Sequence, residues 1–234
     1  MAEAQLLLAD CGNQRVKLAR FSVQEVHVFH WRDDQGRKRL AEFLQRESVG
    51  KIRLASSSEQ GTACLKGDGF HSVEVELVQP HEIPLKVETE GTGIDRLLAA
   101  WYGFHKAQSA VVVADCGSAF TVDVVSADGS FLGGAIGAGL GLQEYALATA
   151  CPHLAAPERL ECGIPTETST AVDAGTRRAF ALALRALATQ FSPTPEHKVC
   201  HFLTGGDAER LQSLMPGWQQ EEHMVLKGLA ALSQ

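Results

Sequence analysis

Two stretches of the chain share one pattern of apolar and polar positions. Leu6-Leu7-Leu8-Ala9-Asp10-Cys11-Gly12 and Val111-Val112-Val113-Ala114-Asp115-Cys116-Gly117 each carry an apolar run into Ala-Asp-Cys-Gly, 105 residues apart. Each is followed by a second β-like run, Val16 to Phe21 and Phe120 to Val125. An apolar run, an Asp-x-Gly turn and a returning run predict a β-hairpin. The second copy passes through Ala127-Asp128-Gly129 into Phe131-Leu132, which predicts a third strand.

Elsewhere the period lengthens to that of a helix. Lys38 to Gln45, Asp95 to Lys106, Leu140 to Ala150 and Ala171 to Gln190 predict helices, the last Ala/Leu-rich and expected in the core. Ile52 to Ala55 and Val199 to Leu203 read as short buried strands. Ala208 to Leu214 and Leu226 to Leu232 complete the helices. Each half therefore reads strand, strand, (strand), helix, strand, helix, a mixed α/β unit with its sheet covered on both faces. The expectation is an α/β chain of two duplicated domains, 1–106 and 107–234, with a ligand in a cleft between halves.

Composition adds exclusions. The 234 residues carry a net charge of −7, so no global basic field would attract nucleic acid or an anionic membrane. No apolar stretch approaches the ~18 residues of a membrane span, and Met1-Ala2-Glu3-Ala4-Gln5 lacks a basic leader region. A cytoplasmic protein with no membrane or nucleic-acid partner is expected. The six cysteines, at 11, 64, 116, 151, 162 and 200, lack zinc-site spacing and are expected to be small buried hydrophobes.

An acidic chain that handles phosphates must neutralise them locally. An Asp-x-Gly turn suits this: the glycine lets backbone N–H groups approach an anion, and the carboxylate is a hard oxygen ligand for Mg²⁺. Asn13, Gln14 and Ser118 can add hydrogen bonds, and Lys17 on the returning strand can reach a phosphate. The run Gly133-Gly134-Ala135-Ile136-Gly137-Ala138-Gly139 is expected to open a helix, as is Thr204-Gly205-Gly206-Asp207. Tight packing is the bland alternative for Gly133 and Gly137. Neither run is Gly-x-x-x-x-Gly-Lys-Ser/Thr, so a P-loop is excluded. In Gly91-Thr92-Gly93-Ile94-Asp95-Arg96, Asp95 is either a base for a hydroxyl or a helix N-cap. Arg96 is a clamp for a carboxylate or phosphoryl group, or a surface residue.

Taken in order, these residues resemble the type III pantothenate kinases, of the superfamily that includes actin, chaperone ATPases and the sugar and acetate kinases. The resemblance rests on Asp10-x-Gly12-Asn13 with Lys17, on Gly93-Ile94-Asp95-Arg96, and on Asp115-x-Gly117-Ser118-Ala119-x-Thr121-x-Asp123. It continues through Gly133-Gly134-x-Ile136 with Gly139, Thr168 with Ala171 and Gly175, Thr204-Gly205-Gly206-Asp207-Ala208, and Leu226-x-Gly228-Leu229.

The resemblance implies two ribonuclease H-like (actin-like ATPase) domains with a central cleft. It implies ATP-dependent phosphorylation of pantothenate to 4′-phosphopantothenate, the first step of coenzyme A biosynthesis. Asp95 would be the base; Gly93, Ile94, Asp95, Arg96 and Thr168 would contact pantothenate, with a partner subunit as one source of Thr168. Asp10, Cys11, Gly12, Asn13, Gln14, Arg15, Val16, Lys17 and Ser118 would contact ATP. Asp115 would bind a monovalent cation, K⁺ or NH₄⁺; Mg²⁺ would serve the phosphates, and the protein would be a homodimer. Departures from the family pattern are Gln14 for Thr or Ser, Ser118 for Thr, Lys86 for an aromatic with no Asn-Pro after it, and Glu167 for Asn. They motivate a second hypothesis, a catalytically weak or regulatory nucleotide-binding relative, and a third, a kinase for another small alcohol.

Overall fold

In a computed structural model, residues 5–67, 70, 73–154, 157–192 and 199–232 are described. The chain divides into two compact units. One comprises Met1–Pro84, Gly91–Tyr102 and His223–Gln234; the other comprises Leu85–Glu90 and Gly103–Glu222. The units are thus not contiguous stretches divided after residue 106.

The first unit is built on β1 (Gln5–Cys11), β2 (Arg15–Ala19), β3 (Val26–His30), α1 (Asp34–Arg46), β4 (Val49–Ser56), α2 (Glu59–Lys66) and β5 (Glu74–Leu77). The sheet order is β3-β2-β1-β4-β5. The β1–β2 and β2–β3 pairs are antiparallel; β1–β4 and β4–β5 are parallel. Strand alternation sorts β1. Leu7, Ala9 and Cys11 enter a core with Val16, Leu18, Trp31, Leu40, Phe43, Leu44 and Leu65. Leu8 and Asp10 therefore take the other face. Asp33 starts α1 by accepting the Gly36 amide at 2.6 Å, and Ser58 starts α2 by accepting the Gly61 amide at 3.1 Å.

Helix α3 (Ile94–Ala107) follows β6 (Lys86–Val87). The second unit then has β7 (Val111–Cys116), β8 (Ala119–Val125), β9 (Ser130–Ala138), α4 (Leu140–Ala150), α5 (Thr168–Asp173), a π-helical turn at Ala174–Arg178, α6 (Ala179–Phe191), β10 (Cys200–Thr204), α7 (Ala208–Leu211) and β11 (Gln219–Gln220). Its sheet order is β11-β10-β7-β8-β9-β6. From β9 to β11 the directions repeat those of the first sheet from β3 to β5: two antiparallel pairs, then two parallel ones. The duplication expected from Ala-Asp-Cys-Gly is a duplication of whole topology.

The last helix, α8 (Met224–Ala231), returns to the first unit and packs on β1 and β4. It meets α3 at Gly228, where a Cβ would lie 2.4 Å from the Leu98 carbonyl oxygen, so only glycine permits the contact. An apolar C-terminal segment has no local feature that says which half it joins.

Three expectations need correction. The glycine run 133–138 is not a helix opening but the body of β9. A Cβ on Gly134 would lie 1.7 Å from the Val122 carbonyl oxygen, and one on Gly137 would lie 2.3 Å from the Phe120 ring. The glycines thus let β9 sit close against β8. At Gly133 (φ +98°) the strand register shifts, the backbone of a β-bulge. Only Gly139 caps α4. Second, the run predicted over Ala171 to Gln190 spans Thr168 to Phe191 with a π turn inside it, and buries one stripe (Phe180, Ala181, Leu184, Ala188) while Leu182 is exposed. Third, of the six cysteines only Cys11 and Cys116 are buried, while Cys64, Cys151 and Cys200 are half-buried and Cys162 is exposed. Among the described residues no helix is long and apolar enough to cross a membrane.

Candidate functional site

In the first unit, strand pairing sets Asp10 opposite Lys17. Lys17 Nζ lies 3.2 Å from Asp10 Oδ2, with the two side chains 34% and 13% exposed. Burial pushes the Asp10 carboxyl above its ordinary value. The Lys17 ammonium opposes this, Asp95 adds to it, and His223 offsets it. The carboxylates of Asp10 and Asp95 therefore share one electrostatic environment, drawn from β1 and the first turn of α3. Asp95 Oδ1 accepts the Arg96 amide at 2.9 Å. A Cβ on Gly93 would lie 2.5 Å from Asp95 Oδ1, so any other residue there would push the carboxylate aside. Ile94 is buried and anchors the turn.

The glycines of the two Asp-x-Gly turns act differently from expectation. Neither has a positive φ, and added Cβ atoms would meet only ordinary contacts, at 3.9 Å for Gly12 and 3.5 Å for Gly117. Their amides close the hairpins, Gly12 to the Arg15 carbonyl and Gly117 to the Ala119 carbonyl, each at 3.0 Å. What these glycines supply is open space beside the carboxylates. Asn13, Gln14 and Arg15 are exposed in the turn. Cys11 and Val16 are fully buried. Burial, with Asp10 alongside, pushes the Cys11 thiol up to about 12.

In the second unit the hairpin is one residue shorter. Cys11 pairs with Val16, but Cys116 pairs with Phe120. The residue opposite Asp115 is consequently Thr121, where Asp10 faces Lys17. The two aspartates occupy equivalent positions with different partners across the strand. Asp115 is ringed by tight backbone. Gly205 has φ +95°, and a Cβ there would lie 2.5 Å from both Asp115 Oδ1 and the Cys116 backbone. Gly139 donates to the Ser118 carbonyl at 3.0 Å, and a Cβ on it would lie 1.9 Å from the Gly117 carbonyl oxygen. The Ser118 side chain is exposed beside them. Asp207 donates its amide to the Cys116 carbonyl at 2.9 Å, and its carboxylate accepts Arg210 at 2.9 Å. With only four residues in α7, the Thr204-Gly205-Gly206 turn packs on Asp115 rather than opening a long helix.

Thr168 is exposed on the first turn of α5, and Glu167 makes no side-chain cap there. Behind it, Arg177 and Asp173 form a buried pair at 2.7 Å that also binds the Leu160 amide and carbonyl. Burial alone would raise the Asp173 carboxyl, but the Arg177 guanidinium and the Leu160 amide outweigh it and hold the group below its ordinary value. Lys86 lies in β6 with its ammonium 3.3 Å from Asp128.

Sequence patterns passed over several neighbours of these residues. His223 sits at φ +57° ahead of α8 and faces Asp10 electrostatically; a left-handed histidine leaves no sequence signal. Trp31 and Arg32, just past β3, hydrogen-bond the first turn.

A duplicated strand order with an aspartate-bearing hairpin at the start of each sheet defines the actin-like ATPase class of fold, which includes sugar and acetate kinases. Solved structures agree in fold. A Baf family protein from Campylobacter jejuni matches with a TM-score of 0.71 at 20% identity over 97% of this chain and 96% of its own. The activator of 2-hydroxyisocaproyl-CoA dehydratase from Clostridium difficile, solved with bound ADPNP, matches at 0.55 and 12%, over 97% and 93%. Within that class the chain belongs to the type III pantothenate kinase family, whose model matches residues 6–190. Type III pantothenate kinases from Synechococcus elongatus and a Janthinobacterium species are 31% and 30% identical to it, over 85% and 96% of this chain and 82% and 95% of theirs. The relative from Alkalilimnicola ehrlichii is 38% identical over 60% of this chain, and the match spans only 58% of that relative's length.

Proposed function

We propose that the chain transfers the γ-phosphoryl group of ATP to the hydroxyl of pantothenate, giving 4′-phosphopantothenate at the entry to coenzyme A synthesis. The observation that carries this is the placement of Asp10, Lys17 and Asp95 in one electrostatic environment of one unit, in a member of the type III pantothenate kinase family.

The Asp10 turn and Lys17 hold the ATP phosphates, with Ser118 adding a hydroxyl. Asp95 accepts the hydroxyl proton as the new oxygen–phosphorus bond forms and the bond to the β-phosphate oxygen breaks, releasing ADP. Arg96 and Thr168 bind pantothenate, and Gly93 and Ile94 fix the backbone beneath it. Asp115 holds a monovalent cation, K⁺ or NH₄⁺. Among the described residues no three His, Cys, Asp or Glu side chains gather as a metal site. Asp10 is the residue that would hold a Mg²⁺ arriving with the nucleotide. Such an ion supplies charge neutralisation on the phosphates. A homodimer working in the cytoplasm belongs to the same reading.

Purified protein given ATP, Mg²⁺, K⁺ and pantothenate should yield 4′-phosphopantothenate by mass spectrometry. No product across a panel of nucleotides and cations overturns the proposal; product only with other small alcohols reassigns the substrate.

A further inference from the structure

The carbonyl groups of the first Asp-x-Gly turn are all held from behind. The Cys11 carbonyl accepts the Ser57 amide at 3.1 Å. The Gly12 carbonyl accepts the Trp31 indole Nε1–H at 2.8 Å, and the Asn13 carbonyl accepts Arg32 Nε at 2.5 Å. The Gln14 carbonyl accepts the Trp31 amide at 3.3 Å. In a trans peptide the N–H of the next residue points opposite to the carbonyl. Drawing the carbonyls of 12 and 13 toward Trp31 and Arg32 therefore turns the amides of Asn13 and Gln14 the other way. Successive amides facing one side form an anion-binding concavity.

Trp31 is itself fixed. Its ring is buried and lies against Gly61 of α2, where a Cβ would come within 3.2 Å of Trp31 Cε2. The Arg32 guanidinium stacks over the ring at 5.2 Å. Arg37 from α1 donates to the carbonyls of Trp31 and Arg32 at 2.9 and 3.0 Å. The donors are thus held by two helices before any ligand arrives.

We infer that Trp31 and Arg32 are positioning residues that orient the amides of Asn13 and Gln14 toward a triphosphate. The inference rests on the reading that this turn holds ATP phosphates.

The test is Trp31→Phe, which keeps an aromatic ring in the core but deletes the indole N–H donor together with the second ring. Affinity for a non-hydrolysable ATP analogue with Mg²⁺, measured calorimetrically, should weaken about tenfold, as expected for one lost hydrogen bond that orders a binding turn. The KM for ATP should rise with it, while the KM for pantothenate stays within twofold. A merely structural role would move both together. Should Trp31→Phe fail to fold, Arg32→Ala removes an exposed side chain and should weaken nucleotide binding about threefold, with Arg32→Lys restoring part of the loss. Nucleotide affinity within twofold of the parent in the folded variants, or equal loss for both substrates, overturns the inference. A parent protein that binds no nucleotide overturns the functional reading instead.

Discussion

Replacing Asp10 with asparagine should make the ligand-free protein more stable while removing nucleotide binding. The Asp10 carboxyl is raised above its ordinary value because burial outweighs Lys17. A carboxyl with a raised folded pKa binds more protons folded than unfolded, so stability falls as pH rises from about 3.8 through the folded value and then stays reduced. Against this stands the lost ion pair with Lys17, whose side chain is 34% exposed; partly exposed pairs contribute about 0.2–1 kcal/mol. The balance favours Asp10→Asn at pH 7–8 because burial is the larger effect, and each 1 kcal/mol of it should appear as about 2–4 °C in a chain of this size. Thermal unfolding of parent and variant from pH 3.5 to 8 reads this. The curves should meet at the acid end and separate above it, with the variant the more stable. Adding Mg²⁺ and ATP should raise the melting temperature of the parent alone. A variant that melts below the parent at pH 8 would refute the reasoning, because Lys17 would then outweigh burial.

Other consequences are as definite. Arg177→Ala strands the buried Asp173 carboxylate and should cost about 3–5 kcal/mol in denaturant unfolding; a loss under 1 kcal/mol would contradict a closed pair. Because Asp173 is held below its ordinary value, the pair's contribution should be present above about pH 3.8 and fade as pH falls through the lowered folded value. Gly205→Ala places a methyl group on a positive-φ backbone and against Asp115, and should destabilise by about 2 kcal/mol or more and weaken cation dependence; a neutral result would show that the turn can shift. Of the described cysteines, Cys162 should react with a thiol reagent in the folded protein well before Cys11 and Cys116, both buried with raised pKa values; equal rates would mean the cores open readily.

The most legible feature was the repeat. Ala-Asp-Cys-Gly placed two hairpins correctly, and period-two alternation explains why each cysteine is core while each aspartate turns to the opposite face. The one-residue difference between the hairpins was less visible, since it shows only in the pairing of Cys11 with Val16 and Cys116 with Phe120. The glycine run in β9 misled because glycine signals a loop locally, whereas here it answers the close approach of Val122 and Phe120. Strand β3 went unseen: Val26-His27-Val28-Phe29-His30 is a half-exposed edge strand without a clean apolar face. With it went Trp31 and Arg32. Their role depends on where a strand end falls beside a turn 19 residues earlier. Membership of α8 in the first unit is a tertiary fact that Gly228 and Leu98 establish together.

Asp95→Asn removes the base proposed to take the pantothenate hydroxyl proton. The variant should bind the ATP analogue as the parent does, unfold at a similar temperature, and form 4′-phosphopantothenate at least a hundredfold more slowly, in keeping with the ~10²–10⁴-fold contribution of a general base. Parent-like turnover by a folded Asp95→Asn protein would contradict it.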